Sequence, residues 1–446
     1  MQRNRNMKTV LSAILLVCTG VANAQKINEF SAQQAVDYAS QHSVQVKNAL
    51  LDILIQEQTN RDVTSVALPQ VSGSASATHY LDIPTTLLPG EIIGQPPGTF
   101  VPVKFGTKWN AGGALSLNQI IFDGQVFIAL KARKGVMDLA KKQEEITEEN
   151  IKANVFKIYY QLVASKTQIS LLNANIARLQ KLQHDIGVMF DNGFAEKIDI
   201  DKLTVQLANL ETEKLKANNA ISNGYSGLKL LMGMPIKDSL VLTDSLSDDQ
   251  IREGVLAGSQ GNYKDRKDYQ ALEISSKLNE LNIRRYKLSQ IPTISFNANY
   301  SKQAQRNKFD FFDNGQWFTT SFIGLQLHIP IFSGFSTRAK IANAKLALNK
   351  IQNQQEALKI SIDNDIQNAQ NNFATAIATM DFQKKNMTLA EKVYEQTKKK
   401  YEIGTGSATD INTAQTDLKA AQTNYVQALY DAIIAKIDFL KATGKL

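Results

Sequence analysis

The sequence predicts a mixed α/β membrane protein: mainly long coiled-coil α-helices, with four strands per subunit contributed to an oligomeric β-barrel. Three observations carry that expectation. Prolines are placed so that two long spans are free of them, four short segments alternate apolar with small polar residues, and the order of elements occurs twice along the chain.

The chain opens with a secretory leader over 1–24. Arg3, Arg5 and Lys8 form a basic start, Val10 to Val17 an apolar run, and Ala22-Asn23-Ala24 a small-residue cleavage site. The run is shorter than the ~20 residues a membrane-spanning helix needs. Cys18 raises a lipid anchor as an option, but Val17 stands where such signals carry Gly, Ala or Ser. Cleavage after Ala24 removes the sole cysteine, so the mature fold is expected to use no disulfide, thiolate metal site or cysteine nucleophile. Arg3, Arg5 and Lys8 account for part of the formal charge of +8, and the remaining cations alternate with acids, as in Lys141-Lys142-Gln143-Glu144-Glu145. Interspersed charge marks a solvated helix face and gives no support to a nucleic-acid partner. No mature segment approaches the roughly 18 uninterrupted apolar residues of a membrane helix, so a membrane-embedded form has to be a barrel.

Proline inside a helix costs about 3 kcal/mol. None of the nine prolines lies between Val103 and Met234, or between Ile331 and Leu446. In the first span Ile151, Val155, Ile158, Leu162, Ile169, Leu172, Ile176 and Leu179 trace a coiled-coil seam. The pattern breaks at Asp191-Asn192-Gly193 and resumes with Leu203, Leu207, Leu210, Ala217, Ile221, Leu228 and Met232, until Gly233 and Pro235 stop it. The second span repeats the design, with its break at Gly404-Thr405-Gly406. Helices are expected over 124–190, 196–233, 335–403 and 408–443. The longer member of each pair would extend ~90–100 Å at ~1.5 Å per residue. A globular core does not need helices of that length, whereas a tube or stalk does.

Strands are expected over 70–81, 109–122, 292–301 and 318–331. After Pro292, Ile294, Phe296, Ala298 and Tyr300 fall on one face and Thr293, Ser295, Asn297 and Asn299 on the other. Before Pro330, Ile323, Leu325, Leu327 and Ile329 oppose Gly324, Gln326 and His328. Ala111, Leu115 and Leu117 oppose Asn110, Ser116 and Asn118, and Val71, Ala75, Ala77 and Leu81 oppose Ser72, Ser74, Ser76 and Thr78. This is the alternation of a barrel strand with lipid outside and water inside, and equally of a half-buried soluble sheet. The link from Asp82 to Lys108, with five of the nine prolines, reads as a long loop, and the link from Ser301 to Gln316 as a polar one. Four tilted strands cannot close, and an open edge in lipid leaves backbone groups unsatisfied. The chain therefore has to oligomerise, and three copies give twelve strands.

The internal repeat is the most specific feature. Leu68-Pro69-Gln70-Val71-Ser72 corresponds to Ile291-Pro292-Thr293-Ile294-Ser295, each ending a helix and beginning a strand. Ile120-Ile121-Phe122-Asp123-Gly124 corresponds to Ile329-Pro330-Ile331-Phe332-Ser333-Gly334, where Asp123 or Ser333 is placed to cap the next helix. Phe190-Asp191-Asn192-Gly193 with Asp199-Ile200 corresponds to Tyr401-Glu402-Ile403-Gly404 with Asp410-Ile411. Leu230 to Gly233 corresponds to Leu440 to Gly444. The repeats occupy 25–235 and 236–446.

With these residues in this order, across essentially all of the mature chain, the sequence resembles the TolC family of outer-membrane efflux channels, the outer membrane factors. The resemblance implies a homotrimer with a twelve-stranded barrel in outer-membrane lipid and a helical tunnel ~100 Å long in the periplasm. It implies docking onto a periplasmic adaptor protein and an inner-membrane pump, so that the chain is a passive exit duct for efflux or secretion. It implies no cofactor, no bound metal and no catalysis.

The resemblance also carries the candidate site residues. Family tunnels close near the two interhelical turns, which match Asp191 to Lys197 and Glu402 to Thr409. Gly193, Phe194, Gly404, Thr405, Gly406 and Ser407 are the candidate adaptor-docking residues, and the glycines at 193, 404 and 406 are expected to permit tight left-handed turns. Asp410 matches the first of two acidic positions lining the closed end, and the second is Thr413 here. A trimer would present one carboxylate ring, which attracts cations and obstructs the pore. The alternative for Asp410 is an ordinary acid at a helix N-terminus. Asp199 and Asp201 are further gate candidates, and a family latch through a basic residue is in doubt because Gly406 occupies that position.

Two other classes compete. A structural or adhesive coiled-coil protein of the envelope would explain the heptads but not the duplicated strands. An envelope enzyme finds little support: His42, His79, His184 and His328 are scattered, and Glu144-Glu145 and Asp248-Asp249 read as solvated charges. Met232 and Met234 flank a helix end and are expected to pack.

Overall fold

The structure is a computed structural model that describes residues 27–252, 262–313 and 315–446. The leader, its cleavage site and Cys18 lie outside the described residues. In chain order the first half contains β1 (Ile27–Phe30), α1 (Ala32–His42), α2 (Val44–Ser65), β2 (Gln70–His79), β3 (Thr85–Pro89), β4 (Phe100–Lys104), β5 (Trp109–Phe122), α3 (Gly124–Asp191) and α4 (Lys197–Met232). The second half contains β6 (Ser239–Leu242), α5 (Asp248–Arg252), α6 (Lys267–Leu288), β7 (Thr293–Arg306), β8 (Phe318–His328), α7 (Ser336–Glu402) and α8 (Ala408–Ala442). The compact units of the fold are not the sequence repeats. Each draws on both halves: one comprises Ile53–Ala140 and Leu272–Gln354, the other the chain up to Asp52, Lys141–Ala271 and Gln355–Leu446.

The first unit is built on one antiparallel sheet of order β2-β5-β7-β8, so the two repeats join through the β5–β7 pair. Directly opposed residues share a face. Register therefore places Val71, Leu117, Ala298 and Ile323 in one row. Phe296 with Leu325 and Ile294 with Leu327 extend that apolar face. The opposite face carries Ser72, Ser116 and Asn299, with Asn299 Nδ2 donating to Ser116 Oγ at 2.9 Å. Aromatic groups mark both strand ends. His79 stacks on Trp109 at 4.1 Å, Trp109 meets Phe309 at 4.9 Å, and the Arg306 guanidinium lies over Phe311. At the ends that lead into helices, Phe122 meets Phe127 and Phe332 meets Phe335.

Several expectations are corrected here. The Asp82–Lys108 link is not only loop: β3 and β4 pair antiparallel within it around a helical turn at Gly90–Ile93. The polar link after Ser301 is strand as far as Arg306, paired to Trp109 of β5. Eight strands occur among the described residues rather than four, although only four share the sheet. β8 ends at His328, ahead of the expected boundary at 331, because Pro330 has no N–H for a ladder.

The second unit has a parallel pair, β1 with β6, which the sequence reading had not foreseen. Against it pack Ala35, Val36 and Ala39 of α1, Ile151, Val155 and Tyr159 of α3, and Met232 and Met234. Tyr159 is fully buried. Its hydroxyl donates to the Phe30 carbonyl at 2.8 Å and accepts from the Asp244 N–H at 3.1 Å, joining β1 to the segment after β6. A further core gathers Leu179 and Ile186 of α3, Leu203 of α4, Tyr394 and Tyr401 of α7, and Ile411 and Leu418 of α8. The tips of the two helical hairpins thus close over one apolar centre.

Candidate functional site

The candidate residues fall at the hairpin tips of the second unit and at the strand–helix junctions of the first. Each long helix ends by the same device, a left-handed glycine with two backbone bonds reaching back to the last turn. At the first tip Gly193 has φ +81°, its N–H donates to the Phe190 carbonyl at 2.9 Å, and the Phe194 N–H donates to Met189 at 2.8 Å. At the second, Gly404 has φ +75°, its N–H donates to Tyr401 at 3.0 Å, and the Thr405 N–H donates to Lys400 at 2.9 Å. Gly233 and Gly444 repeat the pattern at the ends of α4 and α8.

Gly406 is a correction. It does not adopt a positive φ. A Cβ there would sit 3.1 Å from the Tyr401 backbone nitrogen, so the glycine serves close approach to the end of α7. The equivalent position in the first turn is Ala195.

Beyond the turns the two tips diverge. Ser407 and Asp410 form a capping box: the Asp410 N–H donates to Ser407 Oγ at 3.1 Å, and the Ser407 N–H donates to Asp410 Oδ2 at 3.2 Å. These bonds with Ser407, aided by the charge of Lys400, hold the Asp410 carboxyl below its ordinary value. In the first tip Glu196 takes the place of Ser407 and caps nothing with its side chain. Asp199 instead faces Lys202 at 3.7 Å, and it adds to the burial that raises the Tyr401 phenol. Thr413 Oγ1 donates to the Thr409 carbonyl at 3.0 Å. Thr413 lines a groove of about 640 Å³ between α4 and α8 together with Asp201, Lys202 and Asp417. Asp410, Thr413 and Asp199 therefore make separate local contacts within one subunit. Phe194 and Ile403 are 80% and 74% exposed, so an apolar residue stands free at each tip.

Sequence reasoning missed the polar layer above the tips. Asn175 and Gln415 are almost completely buried, and Gln415 Nε2 donates to Asn175 Oδ1 at 2.8 Å. Asn175 Nδ2 in turn donates to Gln422 Oε1 at 3.1 Å. This layer pins the register of α3 against α8, because any slip would bury unpaired amides. The available signal was Asn175, one of two asparagines (with Asn173) beside the Leu172–Ile176–Leu179 seam.

The junction residues act in different ways. Pro69 and Pro292 stand just before β2 and β7, where no ladder N–H is required. Asp123 Oδ1 accepts from the Gln125 N–H at 2.7 Å and caps α3. A Cβ on Gly124 would lie 2.9 Å from Leu288 and Ile291, so its glycine lets α3 begin against the end of α6. Ser333 does not cap α7 as expected: its hydroxyl meets Thr337 Oγ1, and α7 starts only at Ser336. Between them Gly334 and Phe335 both take positive φ, 58° and 63°, and Phe335 is the only non-glycine to do so among the described residues.

A four-stranded sheet with one lipid-compatible and one polar face, with long helices leading from its strand ends, defines a class: an outer-membrane channel subunit made of barrel strands and tunnel helices. The sequence profile of the outer membrane efflux proteins matches residues 264–445. Outer membrane efflux protein BepC of Brucella suis is 21% identical over 98% of this chain and 91% of its own length. Outer membrane protein TolC of Vibrio cholerae is 20% identical over 74% of this chain and 76% of its own. The crystal structure of VceC from Vibrio cholerae superposes with a TM-score of 0.72 at 16% identity, covering 93% of this chain and 96% of VceC. Residues 264–445 carry the sequence profile of the outer membrane efflux protein family, and nearly the whole chain is similar to such channels; it is an outer-membrane channel with a periplasmic helical tunnel.

Proposed function

We propose that three copies of this chain form the passive exit duct of a tripartite efflux or secretion system. The observation that carries this reading is the sheet itself. β2 and β8 are its two edges, and each is long and unpaired within the subunit. Lipid tolerates no such edge, so β8 of one copy pairs with β2 of the next until twelve strands close. Neither a metal nor a cofactor takes part, and no reaction is catalysed; the work of transport is done by the inner-membrane pump that feeds the duct.

The hairpin tips are the docking surface for the periplasmic adaptor protein, through Gly193, Phe194, Gly404, Thr405, Gly406 and Ser407. Asp410 is the gate charge, one carboxylate per copy, ionised at neutral pH with or without the capping bonds that lower it further. Thr413 and Asp199 stand nearby as secondary lining. The junction residues Pro69, Asp123, Gly124, Pro292, Ser333 and Gly334 set the angle at which strands pass into helices.

Asp410→Asn is the informative variant, because asparagine keeps an acceptor for the Ser407 N–H while removing the charge. Purified trimers in planar bilayers are expected to conduct. Asp410→Asn should weaken block by divalent cations about tenfold, equivalent to ~1.4 kcal/mol. Unaltered block in a folded trimer removes Asp410 from the gate. A protein that stays soluble without detergent and forms no pore overturns the channel reading.

A further inference from the structure

The large apolar residues in the paired rows of the polar face are Ile120 of β5, at the end near the helices, and two rings on β8 farther from it. Register puts Phe322 in the row of Ser72, Ser116 and Asn299. It puts Phe318 in the row of Ser76, Gly112 and Gln303. Both rings are 57% exposed in the subunit. The pairing of β8 with β7 runs without a bulge from Phe318 to His328, so no local twist returns these rings to the apolar face. Over the same stretch the apolar face of β8 carries Thr319 and Ser321, and the alternation of the strand is inverted relative to Ile323, Leu325 and Leu327. A ring turned toward water gains nothing from folding that a serine would not supply, so its presence calls for another reason.

Resting on the barrel reading above, we infer that Phe318 and Phe322 form two aromatic tiers, three rings each, that set the narrowest cross-section of the barrel lumen. A closed barrel of twelve strands ~4.8 Å apart and tilted ~40° is on the order of 24 Å across at the backbone. The other residues of these rows are Ser, Gly, Asn or Gln, most of which leave that width open. Phenylalanine is the largest side chain in either row and projects furthest. β8 is also an edge strand, so each ring lies beside the seam to the next copy, whose β2 offers on this face the small residues Ser72, Ser74, Ser76 and Thr78 beyond Gln70 at its start. The tiers therefore narrow the lumen at three seams and present aromatic surface to cargo along a stretch of wall whose other residues are small or polar.

The test uses full-length trimers in lipid vesicles with Cys18 replaced by Ala and a single cysteine introduced by Asn297→Cys. Asn297 lies on the polar face, on the helix side of both tiers. Maleimide-linked polyethylene glycols of graded size are applied from the loop side. Phe318→Ser with Phe322→Ser is expected to raise the largest polymer that reaches residue 297, and Phe322→Leu to raise it less. An unchanged size limit in both variants overturns the inference while leaving the channel reading in place. A second measurement tests orientation without removing two rings at once. Phe322→Cys is expected to react with a sulfonated, membrane-impermeant maleimide, and Ile323→Cys with a lipid-soluble one alone. The reverse pattern overturns the inference. If Asn297→Cys reacts with no water-soluble reagent of any size, the polar face is not a water-filled lumen and the channel reading itself falls.

Discussion

Single residues separate geometry from chemistry at the hairpin ends. Gly193 and Gly404 have positive φ and open space where a Cβ would stand. Alanine at either is expected to cost only the left-handed strain, ~1–2 kcal/mol, in thermal or denaturant unfolding. Gly233 has the same conformation, but a Cβ there would come 2.2 Å from the His42 carbonyl oxygen. Gly233→Ala should therefore destabilise clearly more than either tip variant, and equal losses at all three would show that the contact with α1 is soft. These glycines were legible in the sequence because each stands within two residues of the end of a long helical pattern. Asp410 was legible only as an acid near a helix start. That it bonds Ser407, while Asp199 in the other half has no such partner, depends on Glu196 occupying the first N-cap. Cap and gate are separable: Ser407→Ala should cost ~0.5–2 kcal/mol of stability through the lost capping bond, with little effect on cation block.

At the scale of elements, the clearest surprise is α5. Asp248 reads in the sequence as a solvated acid, yet Lys384 Nζ of α7 donates to it at 2.6 Å and the Tyr425 hydroxyl of α8 at 2.9 Å. Arg252 completes the clamp by pairing with Asp381. Burial opposes the Asp248 charge, but the bonds from Lys384 and Tyr425 outweigh it and hold the carboxyl below the ordinary 3.8. A depressed carboxylate contributes its stability above the unfolded value and loses it as pH falls through the folded one. Amide exchange in α5 and around Tyr425 should therefore accelerate as pH falls below about 3.8, after correction for intrinsic rates. Asp248→Asn should remove that acid step, and an unchanged step would place the titrating group elsewhere. The clamp was not legible because it joins residues 129 to 177 positions apart in the chain. The α3–α8 polar layer of Asn175, Gln415 and Gln422 was hidden for the same reason: an amide on a seam looks solvated until its partner is placed.

At the scale of the whole molecule, the two faces of the sheet decide what surrounds it. Leu325 lies on the apolar face and is 74% exposed in the subunit, while Asn299 lies on the polar face. Lysine at a lipid-facing position near the bilayer midplane costs ~2–4 kcal/mol. Leu325→Lys should sharply reduce the yield of heat-resistant trimer from outer membranes, and Asn299→Lys should leave it close to normal. Equal tolerance of both would mean that the apolar face is not the lipid face.

The sequence by itself determined the long helices, their glycine stops, the duplicated order and the alternating strands. All of these are local: propensity, periodicity and turn chemistry act within a few residues. Only the tertiary structure decided that the repeats join through β5 and β7, that the compact units cut across the repeats, and that β1 pairs with β6. It also decided which face Phe318 and Phe322 share. Such facts depend on register between strands distant in sequence, where a shift of one residue turns every side chain to the other face.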